Sequence, residues 1–441
     1  MDSDGSRMSR TERRNAVKCV VGEGLFGTGM GFVAPMTVLV LLLDSLGASN
    51  VEVGVIGALC TGGWVLLQPL GLLLFGRHKR TKRFLVGWSL AVAVPAYLAM
   101  GLIVYFLGPS SPRACGRILL TVFALATLGA GLALPFWFDW RAAVFRQEIR
   151  GRVIGMIFGM WSLGFGVAAF VAGKVEEGVS FPVDYALLFG AASVAFIASQ
   201  VCILFVREPD SVSAPAEPLR FADLFRRLRH SVGERNFLNY LVGRILMTIG
   251  GGAPWFFAVH FSAEQGGGLA ASTVMKLTAF LMVPRLVSGY VFGRLGDKSG
   301  HKLGIVIGAV MQLASLLVAY FGRGGVVCAL SFMLIGIAWS SATVSHLNML
   351  FETCPHDSRT AHITLCNMVL GPIMVLAPLA TGWLMGLVGT TNGIGLTIPP
   401  TVLGIAWLAF VVREPRDVRL LRNKSNSVDP AIGESSLQKG A

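Results

Sequence analysis

Long apolar stretches alternate with short polar segments along almost the whole chain. A helix that crosses a bilayer needs about 20 mostly apolar residues, and each stretch is long enough for one crossing. We therefore predict an all-α membrane protein with twelve transmembrane helices. The predicted helices occupy residues 17–43, 53–75, 84–107, 117–140, 153–174, 184–206, 237–262, 271–292, 303–321, 326–350, 361–388 and 394–412.

The composition supports a membrane protein. The chain has 441 residues, of which 54% are hydrophobic and 14% are charged, whereas a soluble domain has about 25% charged residues. The first apolar stretch is longer than the apolar core of a signal peptide, which has about 7–15 residues. We therefore expect this stretch to be retained as the first transmembrane helix.

The net charge of +13 is a topology signal. If both termini are cytoplasmic, the outer segments contain few basic residues, while the inner segments contain nearly all the others. This asymmetry is typical of the positive-inside rule, so we expect a lipid bilayer as the partner and no nucleic acid. The basic residues in the outer segments are Arg113, Arg117, Lys174, Lys276 and Arg323.

A short charged stretch, G-R-L-G-D-K-S-G-H-K-L, separates the eighth and ninth predicted helices. Its glycines permit a tight turn, because glycine accepts backbone angles that other residues avoid. The stretch resembles the loop motif of the major facilitator superfamily, G-x-x-x-D-[RK]-x-G-[RK]-[RK], although His301 stands where a basic residue is usual. The matching residues are Gly293, Asp297, Lys298, Gly300 and Lys302.

The resemblance implies that this loop gates the cytoplasmic side. The loop after the second helix is a less complete copy, with Arg77 in place but with Arg80 where the family has aspartate. Asp139, at the inner end of the fourth helix, could supply a substitute anion, or it could be a solvated acid at a helix end. The segment R-G-R-V-I-G, which starts at Arg150, resembles the signature that the superfamily has between helices 4 and 5.

The two halves of the chain repeat each other. The pattern N-x-x-x-x-x-V-G-E runs from Asn15 to Glu23, and N-x-x-x-x-x-V-G-R runs from Asn236 to Arg244. The halves end in F-V-R-E-P-D and F-V-V-R-E-P-R-D. An internal repeat of this length fixes the architecture. We predict two parallel, pseudo-symmetric six-helix bundles, which is the arrangement that the resemblance implies.

Four regions follow from the repeat. We expect an N-terminal bundle at 1–206, a cytoplasmic linker at 207–236, a C-terminal bundle at 237–412 and a flexible cytoplasmic tail at 413–441. In the linker, F-A-D-L-F-R-R-L-R-H places apolar residues on one helical face, which indicates an amphipathic helix at the membrane surface. A disordered basic linker is the alternative.

Ionisable residues inside the predicted helices are candidates for the transport site, because a charge in hydrocarbon is costly. The resemblance implies that helices 1, 4, 7 and 10 line a central cavity. Glu23 and Arg244 would then face it from opposite halves, where they could pair or could bind a charged substrate or a proton. The alternative is that each side chain reaches the inner interface or pairs locally.

Four more residues are candidate substrate or coupling-ion contacts. Arg285 and Gln68 each lie next to a proline, so they could bind substrate or could bond the backbone carbonyl that proline leaves free. His346 and Asn348 belong to a polar tenth helix, and His346 could titrate near neutral pH. The cysteines are scattered and suggest neither a disulfide framework nor a metal site.

These patterns predict a secondary active transporter that moves a small organic solute by alternating access. Coupling to protons through Glu23 is a hypothesis, since Glu23 is a lone acid in a helix expected to line the cavity. The alternative is a non-transporting sensor or assembly partner with the same fold. Motifs for ATP binding and for hydrolysis are missing, so we expect no enzyme and no cofactor. We also expect a monomer in the plasma or inner membrane.

Overall fold

The computed structural model describes residues 8–75, 82–208, 235–353 and 359–416, and in these ranges the chain forms helices and no strands. Eleven helices are long and apolar enough to cross a membrane, and a bent pair makes a twelfth span. The spans α1 to α12 are Arg10–Ser45, Asn50–Leu66 with Gln68–Phe75, Lys82–Leu107, Pro112–Val144, Gln147–Gly178, Val183–Leu204, Arg235–Ser262, Ala271–Ser299, His301–Phe321, Gly325–Thr353, Arg359–Val388 and Thr390–Val411.

The predicted all-α membrane architecture is confirmed, but the charged turn between α8 and α9 is much shorter than we expected. Helix α8 continues through the motif to Ser299, and α9 begins at His301. Only Gly300 leaves the helical conformation, with φ +81°. A glycine inside a helix costs only about 1 kcal/mol relative to alanine, so Gly293 and Gly296 do not end α8.

Several spans are interrupted part of the way along their length. A π-helical turn at Pro35–Leu39 interrupts α1, and a 3-10 turn at Ala253–Phe256 interrupts α7. Helix α2 bends by 44° at Leu67. Proline removes a backbone donor and disturbs the preceding turn, which explains the equivalent breaks at Pro35 and Pro254.

The repeated asparagines perform the same task in each half. The side chain of Asn15 donates to the backbone oxygen of Arg207 at 2.8 Å and accepts from its backbone nitrogen at 3.0 Å. Asn236 makes the same two bonds with Arg413, at 3.0 and 2.8 Å. Each asparagine therefore joins the start of a bundle to a residue two or three positions after its last helix. We call these paired bonds the asparagine clasps.

The glutamate that follows each of these arginines also has a repeated role. The backbone nitrogen of Lys82, where α3 begins, donates to Glu208 at 2.7 Å. The backbone nitrogen of Lys302, in the first turn of α9, donates to Glu414 at 2.9 Å. A carboxylate is favourable at a helix N-terminus because the first amides lack helical partners. The two-fold repeat is thus visible in individual hydrogen bonds.

The halves touch closely at the end opposite the termini, which the charge pattern predicts to be the outer end. Helix α2 packs against α11, and α5 packs against α8. A Cβ added at Gly54 would lie 2.7 Å from the backbone oxygen of Pro378, and one at Gly173 would lie 2.5 Å from that of Ser272. Such approaches leave no room for a solute, so the outer end is closed.

Candidate functional site

A cavity of about 610 Å³ lies between the two halves and extends into the N-terminal bundle. Helices α1 to α6 contribute to its wall from the first half, and α7, α8, α10 and α11 contribute from the second. Pro35 and Trp255, which lie within the interruptions of α1 and α7, are part of the lining. We call this space the main cavity. Its size is in the range of small-molecule sites, about 300–1,000 Å³.

An ion pair between Glu23 of α1 and Arg141 of α4 lies in the main cavity. The two side chains are only 14% and 15% exposed. The guanidinium carbon of Arg141 also lies 5.3 Å from the centre of the Trp137 ring, one helical turn earlier. Residues four apart share a helix face, so α4 presents Trp137 and Arg141 together to Glu23.

Arg244 does not pair with Glu23 in this structure. It lines a smaller cavity of about 180 Å³, which also contacts Thr248 and His346 of the C-terminal half. Thr61 and Met374 belong to the walls of both cavities. The main cavity is therefore asymmetric, since the equivalent positions Glu23 and Arg244 open into different spaces.

Arg285 of α8, a candidate substrate contact in the sequence, lines the main cavity. Its guanidinium carbon lies 5.8 Å from the centre of the Trp161 ring, which belongs to α5 of the opposite half. This distance is within the range of a cation–π interaction. Gln68 begins the second part of α2 directly after the bend, and it is absent from the walls of both cavities in the described part of the chain.

His346 is buried and faces the smaller cavity. The hydroxyl group of Tyr240 donates to the backbone oxygen of His346 at 3.0 Å, and its oxygen lies 3.2 Å from Nδ1 of the same residue. These bonds join α7 to α10. Asn348 lies two residues further toward the inner end and lines neither cavity.

The residues of the predicted gating motif interact with the end of the C-terminal half. The side chains of Asp297 and Lys298 are exposed. Arg416 donates to the backbone oxygen of Asp297 at 3.0 Å and forms an ion pair with Glu352 at 2.8 Å. Gly300 lies against the carboxylate of Glu414, which a Cβ at that position would meet at 2.3 Å.

In the first half, the predicted gating residues lie near the inner ends of α4 and α5. Arg150 donates from its side chain to the backbone oxygen of Phe145 at 3.2 Å. Asp139 is half-buried in the last turns of α4. Arg77 and the predicted amphipathic helix lie outside the described residues.

Arg141 and Trp161 are the principal site residues that sequence reasoning missed. We predicted that α4 ends at Trp140 and assigned Arg141 to a cytoplasmic loop, but the helix continues to Val144. The four-residue spacing of Trp137 and Arg141 could have indicated a shared face. Trp161 lies in an apolar part of α5, where the sequence does not distinguish a cavity residue from one that faces lipid.

Comparison with known proteins assigns the family. A model of the Major Facilitator Superfamily matches residues 20–291 and residues 236–437. Together these matches cover most of the chain, which therefore belongs to the Major Facilitator Superfamily. It is a multi-pass membrane protein of a transporter family, and no curated protein matches it individually.

Solved structures of transporters share the fold at low sequence identity. A mutant of the nucleoside transporter NupG has a TM-score of 0.68 at 11% identity, with 90% of this chain and 99% of that chain covered. A D-xylose–proton symporter has 0.67 at 16%, covering 92% and 99%. A bacterial homologue of the human lysosomal transporter Spinster, inward-facing and unoccupied, has 0.64 at 14%, covering 93% and 99%.

Proposed function

We propose that the protein is a secondary active transporter that moves a small organic solute by alternating access. The main cavity carries this proposal, because both halves build it and because it holds charged side chains within the membrane-spanning region. Contacts at Gly54 and Gly173 close the outer end. These observations support an inward-facing state, from which the halves would rock apart at the outer end.

A reversible link across the outer end tests this mechanism. The Nζ atom of Lys276 in α8 lies 2.7 Å from Oε2 of Glu177 in α5, so a reducible bifunctional thiol reagent can link cysteines placed at these two positions. Cysteines at Lys174 and Glu177 form the matched control, because these two residues make the same kind of ion pair within α5, with Nζ 3.1 Å from Oε2. Thermal-shift screening identifies a solute that binds, and the flux of this solute is then measured in proteoliposomes. We expect only the link between the halves to stop flux, and we expect reductant to restore it.

Flux that continues through the cross-linked protein would contradict alternating access. Purified protein that moves no solute in vesicles but retains a bound partner would favour the non-transporting alternative. We further propose that the protein is a monomer in the plasma or inner membrane. Light scattering of the purified protein tests the monomer, and membrane fractionation tests the location.

Glu23 is the proposed site of proton coupling. A proton on Glu23 would neutralise the carboxylate and release Arg141, whereas a deprotonated Glu23 holds it. Arg285 on α8 and the thiol of Cys60 on α2 share the cavity with this pair. We expect Glu23→Gln to abolish concentrative, pH-dependent uptake while exchange of solute continues. Unchanged uptake and unchanged pH dependence would refute the coupling role.

A further inference from the structure

The main cavity has one more positive than negative side chain in the described part of the chain. Glu23, Arg141 and Arg285 are the charged residues that line it. Glu23 is engaged by Arg141. For Arg285 the structure records the ring of Trp161 as its partner and records no acidic side chain. A charge inside a membrane-spanning helix is unfavourable without an opposite charge, so Arg285 is available to pair with the anionic group of a ligand.

The rest of the cavity wall is mostly apolar and contains many aromatic rings. Six of the nine tryptophans in the sequence line the cavity, together with several phenylalanines. Flat, rigid rings of this kind favour an apolar or aromatic ligand body. The six tryptophans are Trp64, Trp88, Trp137, Trp161, Trp255 and Trp339.

Uncharged polar groups are few in the wall. They include Gln200 of α6, which is 2% exposed and whose carboxamide oxygen has no hydrogen-bond partner in the structure. A sugar bound here would leave most of its hydroxyl groups unpaired, and each unpaired buried group weakens binding. A cationic ligand would be repelled by Arg285. The chemistry of the wall therefore selects against both classes.

We propose that the main cavity binds an amphipathic organic monoanion, with its anionic group on Arg285 and its flat apolar body against the tryptophans. A planar guanidinium suits a carboxylate because it can donate two parallel hydrogen bonds. This inference deepens the proposed transport function by naming the class of substrate.

Binding to the purified protein tests the inference without requiring flux. Naphthoate is the probe, its neutral carboxamide is the isosteric control, and quenching of tryptophan fluorescence reports binding. We expect the wild type to bind naphthoate about 10- to 100-fold more tightly than the carboxamide, as one charge-assisted hydrogen-bonded contact provides. Arg285→Gln should bind both probes equally, and Arg285→Lys should keep part of the preference.

Arg294→Gln is the matched control, since Arg294 is exposed near the inner end of the same helix and lies over Tyr290. We expect this variant to bind both probes as the wild type does. Equal binding of the two probes by the wild type, or an unchanged preference in Arg285→Gln, would overturn the inference. If the preference is present but no solute crosses proteoliposomes, the transport proposal fails and the binding inference stands. If neutral solutes cross the proteoliposome membrane and the two probes bind equally, the binding inference fails and the transport proposal stands.

Discussion

A single added methyl group at Gly173 should shift the protein toward the outward-open state that the proposed alternating access requires. In the structure, a Cβ at Gly173 would lie 2.5 Å from the backbone oxygen of Ser272. A backbone oxygen cannot rotate away as a side chain can, so α5 and α8 must separate. Overpacking of this kind costs about 1–3 kcal/mol, and the cost falls only on the state in which these helices touch.

The population shift follows from this cost. Each 1.4 kcal/mol changes an equilibrium tenfold, so the ratio of outward-open to inward-facing protein should rise by about five- to 150-fold. Alanine also favours a helix over glycine by about 1 kcal/mol. This gain applies equally to both states, since α5 is helical in each, and it therefore cancels from the ratio.

The assay follows the entry of a reagent from outside. Cys60 lines the main cavity, so a variant with Cys60 as its sole cysteine can be treated with a membrane-impermeant maleimide in right-side-out vesicles. Cys60 in the Gly173→Ala variant should be labelled about five- to 150-fold faster than in the parent protein. Gly178→Ala is the control, because Gly178 is exposed at the end of the same helix and nothing lies within 4 Å of its Cβ position. Equal labelling rates in the two variants would refute the reasoning.

Three further predictions concern stability. Glu23→Gln should lower the free energy of unfolding by up to about 3–5 kcal/mol, because it leaves Arg141 without its acid. The double variant Glu23→Gln/Arg141→Gln should recover part of the loss. A thermal unfolding curve of Glu23→Gln like that of the wild type would contradict the prediction. Asn236→Ala removes both hydrogen bonds to Arg413, each of which contributes about 0.5–1.5 kcal/mol. Hydrogen exchange at the Arg413 amide should therefore accelerate. An unchanged exchange rate would count against the asparagine clasp. Tyr240→Phe removes both contacts with His346 and should cost about 1–2 kcal/mol in denaturant unfolding, whereas the exposed Tyr290→Phe should cost nothing measurable.

The apolar blocks of the sequence were sufficient to predict the number of spans, because crossing a bilayer requires a minimum length of apolar helix. The same signal misplaced helix ends. Hydropathy falls at Arg141 and at Gly293, yet backbone hydrogen bonds continue through both positions. Charged residues end a hydropathy window without ending a helix, so the inner ends of α4 and α8 could not be placed from composition.

The candidate site was predictable only in part. A charge inside an apolar span is a signal that the sequence contains, and it led to Glu23 and Arg285, which line the main cavity. The partner of Glu23 depends on how helices rotate against one another, which the repeat could not determine. Arg244 occupies the equivalent position but opens into the smaller cavity.

The asparagine clasps have a consequence for the covalent chain. Because Asn15 fastens the first bundle at Arg207 and Asn236 fastens the second at Arg413, each bundle is closed by its own bonds. A polypeptide cut between Glu208 and Arg235 should therefore yield two fragments that each fold separately. We expect these fragments, when co-expressed, to reassemble into a split transporter through the contacts of α2 with α11 and of α5 with α8.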